Sequence, residues 1–381
     1  MDREDQRRGE GADLAVVGAG LIGLSCALEA ARSGLEVLVV DAGAGERASE
    51  VAAGMIAPVG EASWGEEALL AAALESAELW PDFAARLEAE SGEPVGYRRC
   101  GALHVGLDRD EAAELRRFHD LHGELGLESE WLTAGACRRA EPGLATDVSG
   151  GFSVPGEAEV DPRVVLHALR VACERAGVRI RAGEVTSVPG EDRVAGLRLA
   201  DGSAIEAARV LLAAGARIAA LTPGGLAPVR PVKGEVVRLR ARPGEEPCGR
   251  IIASERVYIV PRASGEVVVG ATVEDRGFDT RVTAGGVHEL LREAYRAVPE
   301  IAELEVTGFA AGLRPTTPDN APVIGAAGPD GLLIAGGHYR NGVLLAPFTA
   351  AAIAAELRGE PESEAAAALS PTRFARTGVA S

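Results

Sequence analysis

The sequence contains very little lysine, asparagine or glutamine. Of its 39 basic residues, 38 are arginine and one is Lys233, and its side-chain amides are Gln6, Asn320 and Asn341. This bias is typical of GC-rich coding, so the abundance of arginine, alanine and glycine predicts little about function. A rare residue carries more information where it occurs inside a motif.

Cysteines are few and scattered. The five of them form no C-x-x-C pair, and an odd number at wide spacing indicates neither a disulfide framework nor a zinc cluster. We therefore expect a reducing compartment and no metal site. An H-x-x-H pair, His119 and His122 beside Asp120, lies in a charged helical pattern and is interpreted as part of a solvated helix.

Long hydrophobic runs are also missing. The most apolar late stretch, 343–355, contains Pro347 and is shorter than the roughly 18 to 20 residues that span a bilayer, so it predicts a buried helix. The charged N-terminal residues 1–13 lack the apolar core of a secretory signal. We expect a cytoplasmic protein without a membrane partner.

Positive charge is in deficit. The 39 Lys and Arg against 57 Asp and Glu give a net charge of −18, so the average surface repels phosphate backbones and no nucleic-acid partner is expected. The hydrophobic share of 47% and the charged share of 25% are typical of globular proteins. Because 381 residues exceed one ordinary core, we expect one large domain or two interleaved ones.

The order of apolar patterns predicts an α/β protein with a β-rich insertion. Residues 13–41 read as strand, helix and strand, and 208–216 and 332–337 are apolar strands typical of parallel sheets. Further helices are predicted at 66–90, 109–125, 161–176, 285–297 and from 343, and further strands at 178–188, 194–200, 229–240, 256–261, 266–272 and 303–309. This order predicts a Rossmann-like domain built from discontinuous segments, with an inserted antiparallel-sheet domain.

A G-x-G-x-x-G sequence, Gly18 to Gly23, lies between the first strand and the first helix. Gly18 permits the tight turn, Gly20 lets the backbone approach a pyrophosphate, and Gly23 allows close packing of helix and strand. Asp41 ends the second strand, where a carboxylate would accept hydrogen bonds from a ribose. The pattern predicts a dinucleotide site, and the alternative is a tight turn without a ligand.

The dinucleotide is predicted to be FAD. The chain has one such fingerprint, whereas flavoproteins that also use a nicotinamide cofactor usually carry two, so electrons are expected to come directly from a substrate. The segment 47–55, RASEVAAGM, contains small residues that would let backbone amides approach a bulky ring system. The alternative for this segment is a flexible loop.

Seven short motifs follow one another along the chain. They are AAGM (52–55), VDPR (160–163), PVKGE (231–235), YIVPRASG (258–265), VVGAT (268–272), AGLRPTTPD (311–319) and GHYRNGVLLAP (337–347). In this order, and over nearly the whole chain, the sequence resembles the FAD-dependent amine and amino-acid oxidases of the D-amino-acid oxidase type. The motifs YIVPR, AGLRP and GHYRNG are most similar to the glycine oxidase branch. The role of Lys233 in PVKGE is left open.

The resemblance implies a site that grips the carboxylate of a small amino acid. Arg314 matches the arginine that binds this carboxylate, and its planar guanidinium suits a bidentate pair. Tyr258 matches a tyrosine that contacts the same group, and Arg340 would line the substrate face. Met55 and Val273 would line the pocket; Val273 stands where related oxidases can carry Met, which leaves substrate size open. Core packing is the alternative for Tyr258 and Met55.

The resemblance also implies non-covalent FAD, since no cysteine follows Cys248. Free amides at the start of the late helix would face the flavin and stabilise its reduced form, whereas the alternative for Asn341 is an ordinary Asn-Gly turn with positive φ. The FAD-binding domain is predicted at 1–90, 142–225 and 309–381, and the substrate-binding domain at 91–141 and 226–308. The predicted cofactor-binding residues are Gly18, Gly20, Leu21, Ile22, Gly23, Asp41, Arg47, Ser49, Ala53, Gly54, Met55, Val185, Ala214, Gly215, Gly312, His338, Arg340, Asn341, Gly342, Val343 and Leu344.

The reaction implied by the resemblance is oxidative deamination of glycine or a similarly small amine in thiamine biosynthesis. Hydride passes from the substrate Cα to the flavin, the imine hydrolyses to glyoxylate and ammonia, and oxygen is reduced to hydrogen peroxide. A homo-oligomer is compatible with the resemblance. The alternatives are an oxidase of sarcosine or small D-amino acids, a dehydrogenase with a non-oxygen acceptor, and an accessory flavoprotein of tRNA modification, against which the net charge of −18 argues.

Overall fold

A computed structural model describes residues 11–43, 47–222 and 226–375. Outside the described residues lie the charged N-terminal residues 1–10. Residues 223–225 and 376–381, where two of the predicted FAD-domain segments end, also lie outside them. The strands are β1 (Ala12–Val17), β2 (Val37–Asp41), β3 (Met55–Ile56), β4 (Ala102–Gly106), β5 (Glu130–Thr133), β6 (Gly150–Val154), β7 (Ala158–Glu159), β8 (Arg179–Ala182), β9 (Val185–Ser187), β10 (Gly196–Leu199), β11 (Ala204–Leu212), β12 (Arg230–Arg240), β13 (Ile251–Ala253), β14 (Tyr258–Pro261), β15 (Glu266–Gly270), β16 (Glu305–Thr316), β17 (Val323–Ala326) and β18 (Leu332–Gly336).

Helices connect these strands and also follow the last of them, β18. The α-helices are α1 (Leu21–Arg32), α2 (Ala48–Val51), α3 (Glu67–Ser91), α4 (Arg109–Glu124), α5 (Ala134–Ala140), α6 (Pro162–Arg175), α7 (Ala284–Ala297), α8 (Ala346–Arg358), α9 (Glu364–Ala368) and α10 (Thr372–Ala375). Short 3₁₀ helices lie at Gly215–Ala220 and Pro299–Glu303. None of the described helices combines the length and apolar character that crossing a bilayer requires.

The first sheet is parallel at its centre, in the order β8, β2, β1, β11 and β18. β17 pairs antiparallel with β18, and β10 and β9 continue antiparallel from β11. Residues 14–17 of β1 are buried because helices α1, α3, α6 and α8 cover one face and the β9–β10 hairpin and its neighbours cover the other. The carboxyl ends of β1, β2 and β11 therefore meet at one edge, where open α/β sheets bind ligands.

The second sheet runs in the order β16, β12, β15, β14, β13, β4, β6 and β5. Its pairs are antiparallel except for β13 with β4. One face packs against α7, through residues such as Val237 and Leu290. The other face packs through Val236 and Val268 against Val51 and Ala53, which follow the first βαβ unit. The predicted fold class, an α/β domain beside an antiparallel sheet, is confirmed.

Most predicted helices and strands are present, with local differences in extent. Asp161 caps α6 by accepting a hydrogen bond from the Arg163 amide at 2.9 Å, as its position before Pro162 indicates. The strand predicted at 178–188 is wrong as one element: it is β8 and β9, separated at residues 183–184, because β8 pairs with β2 whereas β9 pairs with β10. The late helix begins at Ala346 rather than 343, and turns occupy the residues before it.

Two further expectations differ from the structure. The strand β6 and residues 309–316 of β16 belong to the second sheet, although the predicted boundaries assign them to the FAD-binding domain. The interpretation of His122 as solvated is wrong, because this side chain is buried, with Nδ1 3.0 Å from Ser129 Oγ and its ring edge-on to Phe152. Burial lowers the pKa of His122 to about 4, so it is a neutral core residue.

Candidate active site

The glycine-rich turn joins β1 to α1 where the backbone has no room for side chains. Gly18 has a φ of 110°, and a Cβ there would lie 2.5 Å from the carbonyl oxygen of Ala213. A Cβ on Gly23 would overlap the carbonyl oxygen of Gly18. These contacts are the tight turn and the close packing of helix and strand on which the fingerprint rests.

The start of α1 is available to an anion. Gly20 is the N-cap residue and no side chain caps the helix, although Leu21 N donates to Ser49 Oγ at 3.1 Å. Ile22 and Gly23 belong to the same first turn, whose amides point along the helix axis. A helix N-terminus of this kind binds phosphate groups through its amides and its dipole.

Asp41 lies beside this turn at the end of β2. Its Oδ2 accepts from the Ala19 amide at 2.7 Å, and its Oδ1 accepts from Gly43 at 2.8 Å and from Arg47 Nη2 at 2.6 Å. Burial opposes ionisation, but these donors outweigh it and lower the pKa of Asp41. Val185 starts β9 just after the strand that pairs with Asp41. The carboxylate is thus ionised and fixed where a ribose is predicted to bind.

Segment 47–55 passes between the two sheets. Gly54 has a φ of 78°, and a Cβ on it would overlap the Val160 carbonyl oxygen. The guanidinium of buried Arg262 donates to the Ala53 carbonyl, which fixes the segment from the second sheet. Met55 pairs with Glu159 in the small β3–β7 sheet and, like Tyr258, packs against the hydrophobic cluster that contains Val51 and Ala53. The alternative of a flexible loop does not fit these contacts.

The other predicted cofactor residues approach the same region from neighbouring strands. Ala214 and Gly215 follow β11, whose last residue pairs with Val17 next to the glycine-rich turn. Gly312 lies on β16 facing α2, and a Cβ on it would be 3.1 Å from the Cβ of Val51. The structure therefore brings the glycine turn, segment 47–55 and these residues close together. We call this region, at the carboxyl ends of β1, β2 and β11, the cleft.

Arg314 and Tyr258 lie on the face of the second sheet that turns toward this cleft. Two glycines make room for them: a Cβ on Gly234 would be 2.5 Å from Cζ of Arg314, and one on Gly270 would be 2.5 Å from the Tyr258 hydroxyl oxygen. Strand register places all four residues on the same face. The two side chains consequently lie flat across a floor of glycine backbone.

Hydrogen bonds fix the guanidinium of Arg314 in this position. Its Nη1 donates to the carbonyl oxygens of Thr272 at 3.0 Å and Lys233 at 3.4 Å. The side chains of Arg314 and Tyr258 are both half-buried. Burial raises the pKa of the Tyr258 hydroxyl, and the nearby Arg314 offsets this only in part. The pair thus presents a fixed cation beside a protonated hydroxyl, an arrangement that suits a carboxylate.

The residues before α8 form a turn with unused amide donors. Tyr339 has a φ of 46°, so the positive φ of this turn lies at Tyr339 and not at Asn341. Within the described residues, the amides of Gly342, Val343 and Leu344 make no hydrogen bond. The donors predicted at the start of the late helix therefore lie in the turn before α8, where they are available to an electron-rich group such as the predicted flavin.

Two side chains of this turn have different surroundings. His338 is buried and its Nε2 lies 3.0 Å from Thr349 Oγ1, and burial lowers the pKa of His338 to about 3. Its ring therefore faces α8, so a role at the cofactor would fall to its backbone. Arg340 is exposed, with its guanidinium 5.0 Å from the centre of the Tyr339 ring.

Glu61 is a candidate site residue that the sequence reasoning missed. It is partly buried in the loop after β3, and Arg340 and Arg314 are among its electrostatic neighbours. Burial raises the pKa of Glu61 to about 7, and the two arginines offset this only in part. The next residue back, Gly60, donates its amide to buried Glu157 at 2.6 Å. One acid among 57 carries no local signal, so only the folded structure identifies it.

Val273 is the predicted pocket residue with the least support. It lies in the loop between β15 and α7 and is 57% exposed. The remaining predicted residues form two groups, one around the glycine turn and one around Arg314, with segment 47–55 between them. This arrangement can hold a dinucleotide in the cleft and present a small carboxylate to it.

Glycine oxidases are among the known proteins that this chain resembles. The glycine oxidase of Geobacillus kaustophilus is 34% identical over 349 residues, which cover 90% of this chain and 92% of that protein. A crystal structure of glycine oxidase from the same organism has a TM-score of 0.89 at 33% identity and covers 96% of this chain and 99% of that chain. A bifunctional ThiO/ThiG protein of Trichormus variabilis is 35% identical over 346 residues, 90% of this chain but 52% of that protein. The chain thus spans about half the length of these bifunctional relatives.

The family match covers most of the chain. The sequence model named DAO, described as FAD dependent oxidoreductase, matches residues 13–356. This match confirms the resemblance stated from the motifs, and it confirms FAD as the cofactor. The chain therefore belongs to the DAO family of FAD-dependent oxidoreductases.

Proposed function

We propose that the protein is an oxidase of glycine and similarly small amino acids. The observation that carries this proposal is the position of Arg314 and Tyr258, side by side on the sheet face that packs toward segment 47–55. A fixed guanidinium beside a hydroxyl recognises a carboxylate. The similarity to proteins named glycine oxidase supports glycine as the substrate.

The residues of the cleft fit FAD. The uncapped start of α1 would bind the pyrophosphate, Asp41 would accept from the ribose, and the free amides of Gly342, Val343 and Leu344 would donate to the flavin ring. When bound, FAD would accept a hydride from the substrate Cα and return the electrons to oxygen.

The protein itself would bind and orient the substrate. Arg314 is held by two backbone carbonyls before any substrate arrives, so binding requires little reorganisation of the clamp. The Tyr258 hydroxyl, whose pKa is raised, stays protonated and would donate to the same carboxylate. Glu61, when ionised, supplies negative charge for the ammonium group of a zwitterion and accepts a proton from it.

Peroxide release tests the proposal. The purified yellow protein would be assayed with glycine, sarcosine, D-alanine and D-proline, and we expect glycine to have the highest kcat/KM. A higher kcat/KM with sarcosine or a D-amino acid would instead show an oxidase of sarcosine or of small D-amino acids. Reduction of a dye under anaerobic conditions without peroxide in air would show a dehydrogenase instead.

A variant distinguishes the clamp from the cofactor site. Arg314→Ala should keep FAD, because its contacts are to Thr272 and Lys233, but should lose turnover of glycine. An unchanged kcat/KM for glycine in this variant would reject the clamp. We also place the reaction in thiamine biosynthesis, supported by the similarity to the ThiO/ThiG proteins. Complementation of a thiamine auxotroph that lacks its own glycine oxidase tests that assignment.

A further inference from the structure

The single lysine of the chain lies behind the proposed carboxylate clamp. In the register of β12 with β16, Val232 is opposite Arg314 and Lys233 is opposite Leu313. Side chains alternate along a strand, so Lys233 lies on the sheet face opposite to Arg314. It is 1% exposed. A charge buried so deeply requires partners, and the mechanism above uses none of them.

Two carboxylates surround Lys233. Its Nζ lies 2.6 Å from Oε1 of Glu235 and 3.5 Å from Oε2 of Glu274. Glu235 is fully buried, and Glu274 lies in the loop between β15 and α7. Burial disfavours the charged form of Lys233, but the two carboxylates outweigh this and raise its pKa. One buried cation thus balances two neighbouring anions.

The same carboxylates hold both ends of this loop, residues 271–283. At its start, Thr272 Oγ1 donates to Glu274 Oε1 at 2.8 Å and accepts from the Glu235 amide at 2.9 Å. At its end, Glu235 Oε1 accepts from both the amide and the hydroxyl of Thr283, at 3.0 and 3.1 Å. Thr283 in turn caps α7. Between these ends the loop exposes Val273 and other apolar side chains.

This network reaches Arg314 through two backbone carbonyls. The Thr272 carbonyl accepts from Arg314 Nη1, and so does the carbonyl of Lys233 itself. Glu274 also pairs with Lys233 through its backbone, at 2.9 and 3.0 Å. Any movement of the loop start would therefore displace an acceptor of the guanidinium.

We infer that Lys233 is a positioning residue for the carboxylate clamp. Its charge keeps Glu235 and Glu274 together, the carboxylates keep the loop closed, and the Thr272 carbonyl then holds Arg314 in its binding orientation. Without the cation, Glu235 would be a buried anion facing a second anion, and the loop would move away to separate them. This inference rests on the proposed function of the clamp.

The test compares Lys233→Met with the double variant Lys233→Met/Glu235→Gln. In the FAD-loaded single variant we expect KM for glycine to rise at least tenfold, with kcat within about threefold of the unmodified enzyme. The Kd of acetate, measured by calorimetry, should rise in parallel, because acetate requires only the clamp. The double variant removes the unbalanced charge as well, so both constants should return most of the way. A structural role alone would not produce this recovery.

The results that would overturn the role of Lys233 differ from those that would overturn the proposed function. A folded Lys233→Met enzyme with KM and acetate Kd within twofold of the unmodified values would overturn the inference. If that variant does not fold, Glu274→Gln, which keeps the Lys233–Glu235 pair, should shift both constants in the same direction by about threefold, and no shift would overturn it. An unmodified protein that neither oxidises glycine nor binds acetate would overturn the proposed function, and the role of Lys233 with it.

Discussion

Gly234 offers the mildest perturbation of the proposed clamp. Its φ lies outside the left-handed region, so alanine can adopt the same backbone on β12. The new Cβ would overlap both terminal nitrogens of the Arg314 guanidinium and lie 2.5 Å from its Cζ, whereas ordinary contact begins at 3.4 Å. The guanidinium must therefore move by about 1 Å, and a flexible side chain can do so without unfolding the sheet.

The expected cost follows from the contacts that this movement weakens. A hydrogen bond to a charged group contributes about 1.5–3 kcal/mol, and each 1.4 kcal/mol corresponds to about tenfold. Loss of one clamp contact should lower kcat/KM for glycine by about 10- to 100-fold in Gly234→Ala, which agrees with the cost of about 10²-fold for a misplacement of about 1 Å. The FAD content should not change, since the three atoms nearest to the new Cβ all belong to Arg314.

The assay is peroxide release with glycine, beside flavin absorbance as the measure of bound FAD. Gly308→Ala is the matched control, because Gly308 lies on β16 with Arg314, has no positive φ, and has nothing within 4 Å of an added Cβ. It should stay within twofold of the unmodified enzyme. If Gly234→Ala also stays within twofold, the position of Arg314 does not govern substrate binding and the reasoning fails.

Three other substitutions test the remaining parts of the site. Gly23→Ala should be purified with little or no FAD, because its Cβ overlaps a carbonyl in the phosphate-binding turn, and full flavin absorbance would contradict this. Glu61, whose pKa is raised to about 7, is neutral below that pH and ionised above it. The kcat/KM for glycine should therefore rise through pH 7, and Glu61→Gln should lose this step. Trp80→Phe removes a buried 2.9 Å hydrogen bond to the Leu344 carbonyl, so urea denaturation should show a loss of about 1–3 kcal/mol.

The parts of the fold that follow local rules could be predicted from the sequence. The first βαβ unit was predicted because its apolar strands, glycine turn and closing Asp41 are all within 30 residues of one another. The capping of α6 by Asp161 is equally local. In contrast, the break at Gly183 depends on β10, which is distant in sequence, and the position of His122 depends on Phe152 in another strand.

The candidate site likewise combines residues that local motifs predict with residues whose surroundings depend on distant parts of the chain. Motif matching proposed Arg314 and Tyr258 as site residues, but their flat packing depends on Gly234 and Gly270, which belong to two other strands. Glu61 lacks a motif and acquires its character from burial near arginines that follow it by more than 250 residues. Sequence reasoning therefore finds groups that carry chemistry, whereas the neighbours that tune them come from tertiary packing.

The strong negative charge of the chain affects the approach of anions and of zwitterions differently. A net charge of −18 would repel an anion approaching the protein, but a glycine zwitterion carries no net charge and is neither attracted nor repelled at long range. Under the proposed function, selection would then occur inside the cleft, where Arg314 would provide positive charge for the carboxylate and Glu61 would provide negative charge for the ammonium. Such a pair favours a zwitterion over acetate, which leaves Glu61 without a partner, and over a simple amine, which leaves Arg314 without one. If the proposed function holds, the acidic surface and the arginine clamp therefore act in the same direction, toward amino acids and against simple anions.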